Sequence, residues 1–251
     1  VTLNLHMTYQ AEKVVPYESS ENKGAQVERM FDSIAENYDT LNHTLSMGID
    51  RGWRKKGLLT LKDLKPQSIL DIATGTGDLA IEAYRLLGSE KITGIDISEG
   101  MMEVGRQKVA KLGLSDKITF EKQDCMSLDI ADNSYDAAIV AFGIRNFEDL
   151  DKGLKEIHRI LKPGGRLMIL ELSSPEHFPM KQAYWLYSRL FIPTVGRFIS
   201  KDKTAYSYLP KSIEAFVQGK EMVGVLSKNG FRNAKCKTYT LGVCSMYLGE
   251  K

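Results

Sequence analysis

Asp71-Ile-Ala-Thr-Gly-Thr-Gly-Asp78 decides the fold. Residues 68–73, just before its glycines, read as a short apolar strand, and residues 79–87 after them read as a helix. Gly75-Thr-Gly77-Asp-Leu-Ala80 matches G-x-G-x-x-A, the turn that brings backbone close to a nucleotide at a helix start. Asp96 follows Gly77 by nineteen residues and closes the next predicted strand, 91–97, where a carboxylate can accept from ribose hydroxyls.

Outward from this turn, strand and helix alternate. A helix is predicted over 100–112 and a strand over 118–122; the strand over 135–142 is the most apolar and therefore expected at the centre. A helix over 150–161 stops at Pro163-Gly164-Gly165, and 166–172 is the next strand. Repeated units of this length give a parallel sheet with helices on both faces. A helix over 219–228 ends at Asn229-Gly230, and strands near 231–240 and 243–248 make an antiparallel edge pair.

Upstream, Val27, Met30, Phe31, Ile34 and Tyr38 step by three and four, which predicts an amphipathic helix over 24–39, and a second follows over 50–64. The domain reading is a poorly ordered polar tail at 1–23, a helical cap at 24–66, a core at 67–174, a helical insertion at 175–215, and a last helix and strand pair at 216–251.

The composition, 43% apolar and 26% charged with a formal charge of +2, is that of an ordinary globular domain and carries no nucleic-acid footprint. Cys125, Cys236 and Cys244 show no metal or redox spacing and read as free thiols; no metal site is expected. No apolar run approaches the about 18 residues of a membrane span. No Arg/Ser-rich leader is visible, so the expectation is a bacterial protein of the cytoplasm, peripheral at most on the inner membrane face.

The glycine turn alone leaves a dinucleotide and S-adenosylmethionine in contention. Asp71 inside the strand would be unhelpful beside a diphosphate, whereas it can buttress the loop or meet a cationic donor. Asp124 ends the third strand at the same edge, and Leu161-Lys-Pro-Gly-Gly165 introduces the fifth. Together these residues resemble the class I methyltransferases. That resemblance implies a sheet of order 3-2-1-4-5-7-6 with the seventh strand antiparallel. It also implies S-adenosylmethionine as cofactor, held by Asp71, Ala73, Gly75, Thr76, Gly77, Asp78, Ile97 and Met101, with the Gly75–Gly77 loop around the methionine part and Asp96 at the ribose hydroxyls. Asp124, Cys125, Ala141 and Phe142 complete the implied set.

More discriminating stretches are Met30-Phe-Asp-Ser-Ile-Ala-Glu-Asn-Tyr-Asp-Thr-Leu-Asn42, Trp53-Arg54, Phe142-Gly-Ile-Arg-Asn146 and Tyr206-Ser-Tyr-Leu-Pro-Lys-Ser-Ile213. From about Gly24 onward the chain resembles the quinone-biosynthesis C-methyltransferases, which act on demethylmenaquinone or polyprenyl-benzoquinol. It departs in having Asp124-Cys125 where that family usually shows Asn-Ala, and Ala141 where some members have serine. The resemblance implies a homodimer and a prenylated quinol as substrate, demethylmenaquinol foremost, with polyprenyl-benzoquinol methylation or a non-catalytic S-adenosylmethionine-binding scaffold of a quinone-synthesis complex as the alternatives.

A phenol of pKa about 10 is ionised to roughly one part in a thousand at pH 7, so a ring carbon needs help to become nucleophilic. Arg145 is the candidate for stabilising the phenolate and Asn146 for orienting the second ring oxygen. His43 reads either as a general base or as a solvent-facing loop histidine. Tyr38, Asp39, Trp53, Arg54, Tyr206 and Tyr208 are candidate substrate contacts, with core packing as the alternative. The aromatic segment 178–193, with Lys181 and Arg189 interspersed, suits an interfacial helix, a tail groove, a core or a dimer face.

Overall fold

The computed structural model describes residues 9–191 and 203–251, without the side chains of Phe191, Lys203 and Tyr206. Seven strands form one sheet: β1 Ser68–Ile72, β2 Lys91–Asp96, β3 Ile118–Lys122, β4 Tyr135–Ala141, β5 Leu161–Leu172, β6 Arg232–Tyr239 and β7 Cys244–Glu250. Their order is β3-β2-β1-β4-β5-β7-β6, with β4 central as its apolar sequence predicts. The first five strands pair in parallel, and β7 runs antiparallel to both β5 and β6.

Burial on both faces explains why β1, β4 and β5 read as nearly continuous apolar runs. Leu70, Ile72, Val140 and Ile169 face one helical layer, while Ile69, Ile139, Met168 and Leu170 face the other, as the two-residue period requires. On the first side pack α7 (Leu150–Ile160), through Leu154 and Ile157, and Gly219–Lys228, through Met222 and Leu226. On the second pack α4 (Ile49–Leu58), α5 (Asp78–Leu87) and α6 (Glu99–Lys111). A third cluster joins α2 (Lys23–Ile34) and α3 (Tyr38–Leu45) to the helix Lys203–Ala215 through Met30, Ile34, Leu41 and Tyr208. This last cluster is the cap.

Four expectations need correction. From Tyr9 onward the segment expected to be a disordered tail is ordered: Gln10–Lys13 forms α1, Ala11 enters the core, and the Tyr9 hydroxyl donates to Asp151 at 3.1 Å. Lys23 is 4% exposed and its Nζ donates to the carbonyls of Ala11, Arg145 and Phe147, so one polar side chain ties that segment down. The helix expected over 24–39 breaks at a tight turn, Ala35–Asn37, and the one over 50–64 tightens into a 3₁₀ segment after Leu58. Pro163-Gly164-Gly165 lies inside β5 as a bulge between the Tyr135–Leu161 and Ala137–Arg166 pairs, not before the strand. The aromatic segment 178–193 is helical over Met180–Leu186 and continues as a π turn to Phe191; the rest lies outside the described residues.

Candidate functional site

The strand order reverses between the parallel neighbours β1 and β4, and a crevice outside the carboxyl ends of such strands is where α/β folds bind ligands. Two cavities open there. One, of about 600 Å³, lies over the ends of β1, β2 and β3; the other, of about 310 Å³, lies under the cap. Phe31, Tyr38 and Phe142 line both and so form the passage between them.

The larger cavity is built on the glycine turn. Ala73, Gly75 and Gly77 take positive φ, at 52°, 55° and 77°, to fold the chain back over the strand end. A β-carbon on Gly77 would stand 2.7 Å from Phe120, so the turn also needs the missing side chain for packing. Asp71 is 1% exposed and braces the turn from beneath, accepting the Thr74 hydroxyl at 2.6 Å. Burial pushes its carboxyl up to about 7, and the Thr74 hydrogen bond opposes that only in part. Asp96 grips the turn from the side: its two oxygens accept from the Gly75 and Ser98 amides at 2.8 and 2.9 Å.

Ala73, Gly75, Asp96, Ile97 and Met101 line this cavity, as do Asp124, Cys125, Ala141 and Phe142. Thr76, Gly77 and Asp78 do not; the last faces away, pairing with Lys108 at 2.6 Å and Arg54 at 3.3 Å. Burial alone would raise the Asp78 carboxyl, but Lys108 and Arg54 outweigh it and hold it below the usual range. Helix α2 supplies a wall that the sequence reading missed, through Gly24, Val27 and Glu28. Four carboxylates, Glu28, Asp96, Asp124 and Glu148, face the space against one lysine, Lys122. Such a space favours a cation and opposes a diphosphate.

The smaller cavity is apolar for most of its wall, with Met30, Ile34, Leu41 and Ile213 among its lining. Of the residues expected at the substrate, Tyr38, Trp53, Arg145 and Tyr208 line it. Trp53 is fixed by donating from Nε1 to Thr240 at 2.8 Å, and its ring meets Phe142 edge-on at 6.4 Å. Asn146 lines the larger cavity and accepts the Tyr208 hydroxyl at 3.0 Å, linking the two walls. The Tyr206 side chain lies outside the described residues.

Three cap residues stand elsewhere. Asp39 accepts from Thr76 at 2.6 Å and pairs with Lys108 at 2.7 Å, pinning the cap to the glycine turn. Arg54 is buried between Asp50 and Asp78, with its guanidinium 5.7 Å above the Phe142 ring. His43 lies on α3, not in a loop, and outside the cavity wall; its Nδ1 is 3.1 Å from Asp50 and its Nε2 3.6 Å from Asp78. None of the three can touch a molecule in the smaller cavity directly in this arrangement.

Arg145 is 6% exposed. Its Nη1 donates to Glu171 at 2.7 Å and to the Phe142 carbonyl, and Nε donates to Ser212 at 3.3 Å. Among the described residues Nη2 has no protein acceptor, which leaves it for the cavity. Burial alone would lower the guanidinium's pKa; Glu171, with Tyr38 and Tyr208, outweighs burial and raises it. Phe142 turns the chain here with φ of 62°, and a β-carbon on the next residue, Gly143, would lie 2.5 Å from that of Ala73. The turn after β4 therefore packs against the Ala73 side chain at the start of the glycine turn too closely for any side chain at 143. The sequence reading missed Glu171, although an acid between Leu170 and Leu172 in a buried strand was a signal that a cation lay opposite.

Residues 18–251 match the model of the ubiE/COQ5 methyltransferase family. Demethylmenaquinone methyltransferase of Bacteroides fragilis is 56% identical over 245 residues, which are 98% of this chain and all of that one. The ubiquinone/menaquinone biosynthesis C-methyltransferase UbiE of Geotalea daltonii is 44% identical, over 91% of this chain and 97% of its own. Among solved structures, a SAM-dependent methyltransferase of Thermotoga maritima, titled a possible histamine N-methyltransferase, superposes with a TM-score of 0.62. It covers 89% of this chain and 99% of its own at 19% identity, which speaks to the fold alone.

Proposed function

Since this chain belongs to the ubiE/COQ5 methyltransferase family, we propose that it transfers a methyl group from S-adenosylmethionine to a ring carbon of a prenylated quinol, demethylmenaquinol foremost. The observation that carries this reading is the pair of cavities joined at Phe31, Tyr38 and Phe142: one acidic, one apolar with a buried guanidinium. Two reactants of opposite character meet at one passage.

The larger cavity fits the donor. When bound there, the donor supplies an electrophilic methyl on a cationic sulfur, and the four carboxylates suit that charge. The Gly75 turn would take the methionine part and Asp96 the ribose hydroxyls. Asp124 and Cys125 would take the adenine, beside the apolar side chains of Ile97 and Met101.

In the smaller cavity the residues bind, orient and polarise the ring. Bringing a phenol from pKa about 10 to about 7 needs about 4 kcal/mol. A cation about 4 Å from the oxygen supplies about 4 kcal/mol at an effective dielectric of about 20. Arg145 offers that cation through Nη2, less the share that Glu171 already neutralises. The Tyr208–Asn146 pair can orient the second ring oxygen. The apolar lining excludes water and holds the ring carbon toward the passage.

The isoprenoid tail has a place to go. Phe178, Trp185, Leu186 and Leu190 are 52–81% exposed on the segment that also carries Lys181 and Arg189, and Met180 and Tyr184 of that segment line the cavity. Among the described residues no helix is long and apolar enough to cross a membrane, and this segment suits peripheral contact with a bilayer.

Purified protein given methyl-labelled donor should label a short-tailed demethylmenaquinol. Polyprenyl-benzoquinols and simple phenols, run in parallel, define the range. Absence of label in any quinol would reject the reading.

A further inference from the structure

Each transfer of the kind proposed above releases one proton, and the acceptor cavity must dispose of it. The quinol O–H bond breaks, its electron pair pushes the ring carbon onto the methyl, and the electron pair of the old methyl bond stays with sulfur. The ring C–H bond then breaks, its electrons restore the aromatic ring, and the oxygen is reprotonated. The balance is one methyl gained by the ring and one proton delivered to solvent.

Few groups on the cavity wall can accept that proton. The titratable side chains lining it, among the described residues, are Tyr38, Asp50, Arg145, Tyr184, Tyr187 and Tyr208. Burial pushes Tyr187 and Tyr208 up to about 12 and raises Tyr38 and Tyr184 as well, so these phenols keep their protons. Arg145, raised by Glu171 against the pull of burial, keeps its own. Asp50 is the remaining one.

Its setting is that of a working carboxylate. Asp50 is 3% exposed, and Oδ1 accepts the Ser46 hydroxyl at 2.6 Å. Oδ2 is buried and accepts no hydrogen bond, although Arg54 Nη1 lies 2.8 Å away and His43 Nδ1 3.1 Å away. This oxygen of a buried carboxylate is thus ion-paired to Arg54 but takes no directed hydrogen bond, which leaves it a lone pair beside an apolar cavity. Behind it, the His43 side chain is 26% exposed and reaches toward the surface, where Asp78, itself paired with Lys108, faces Nε2. Arg54 faces both Asp50 and Asp78, and Glu82 stands within electrostatic reach of them.

We infer that Asp50 takes the proton from the quinol in the acceptor cavity and passes it through His43 to solvent, the two side chains forming the proton exit of the methyl transfer. The inference rests on reading that cavity as the quinol site. Arg145 then stabilises the oxyanion, and Asp50 removes the proton that creates it. His43, which touches nothing in the cavity, acts as the relay.

Asp50→Asn preserves shape and removes the acceptor, so kcat on short-tailed demethylmenaquinol should fall about 100-fold at pH 7, within the usual range for a lost general base. Donor affinity by calorimetry should stay within about twofold. The deficit should shrink as pH rises and the quinol ionises unaided. His43→Ala should lose about tenfold, and added imidazole should restore it, which a packing role would not allow. A third readout needs no turnover: bound 1-naphthol should show its ionised absorption band at pH 7 in the native protein and lose it in Asp50→Asn. Should Asp50→Asn fail to fold, the His43→Ala rescue decides alone. Native protein inactive on demethylmenaquinol overturns the substrate reading and the relay with it. Native protein active, with both variants within threefold of it or with no imidazole rescue, overturns the relay only.

Discussion

Replacing Arg145 by methionine separates what the buried pair does for the fold from what the cation does for the chemistry. Arg145 and Glu171 meet at 2.7 Å with side chains 7% and 1% exposed, so removing the guanidinium strands a carboxylate in the core. Breaking such a pair costs about 3–5 kcal/mol. At roughly 2–4 °C per kcal/mol for a domain of this size, the melting temperature should drop by about 6–20 °C. Adding Glu171→Gln removes the stranded charge and keeps one acceptor oxygen for the Arg145 and Leu172 amides, which now donate to separate oxygens of Glu171, so one of the two loses its partner. The double variant should therefore recover part of the lost stability. Activity should behave oppositely. The phenolate loses a cation worth up to about 4 kcal/mol, discounted by about half for Glu171's prior claim, so turnover should fall by about 30-fold or more in both variants. Scanning calorimetry gives the first quantity and single-turnover methyl transfer the second, with donor binding by titration calorimetry as the control. Turnover restored by Glu171→Gln would refute the electrostatic role of Arg145. An unchanged melting temperature in Arg145→Met would refute the energetic account of the pair.

Other perturbations test the donor side. Asp96→Ala removes a carboxylate that lines the donor cavity and accepts the Gly75 and Ser98 amides; at about 1.5 kcal/mol for each lost charged hydrogen bond, donor affinity by calorimetry should weaken about 100-fold. Gly143→Ala places a β-carbon 2.5 Å from that of Ala73, so it should destabilise the protein by about 1–3 kcal/mol in urea titration and weaken the donor too. Asp71, pushed up to about 7 by burial, binds its proton more tightly folded than unfolded. Its contribution to stability therefore falls as pH rises from about 4 to about 7, and Asp71→Asn should flatten that decline in melting temperature against pH.

The donor half was legible because its parts are local in sequence. A strand end, a turn needing positive φ at Gly75 and Gly77, and acids at the ends of β2 and β3 each announce themselves within a few residues. The strand–helix alternation came from the same rhythm, whereas the sheet order came only with the resemblance to the class I methyltransferases that those parts carry. The tail was misread because polar composition hid specific anchors: Lys23 alone satisfies three backbone carbonyls of other segments. The cap was harder, since its charged residues could be assigned to substrate or to one another with equal right from sequence. Asp39, His43 and Arg54 turn toward Thr76, Lys108, Asp50 and Asp78 instead of the cavity.

That arrangement has a consequence for how the two cavities work together. The cap walls the acceptor cavity through Met30, Ile34, Tyr38 and Leu41, yet its polar face is bound to the structure that forms the donor cavity. Asp32 accepts the Ser98 hydroxyl at 2.6 Å and the Gly100 amide at 3.0 Å, just after Asp96; Glu28 pairs with Lys122; Asp39 holds Thr76. Through these bonds, α2 and α3 register against the same β1 and β2 turns that would grip the donor. A shift of the glycine turn would be carried to Tyr38 at the passage, and a ligand that orders that turn also orders the wall facing the quinol. Coupling of this kind predicts that saturating donor lowers the Kd of a quinol analogue. By linkage the analogue must tighten the donor by the same factor. Equal quinol-analogue affinity with and without donor would mean that the cap holds its wall without help from the donor turn.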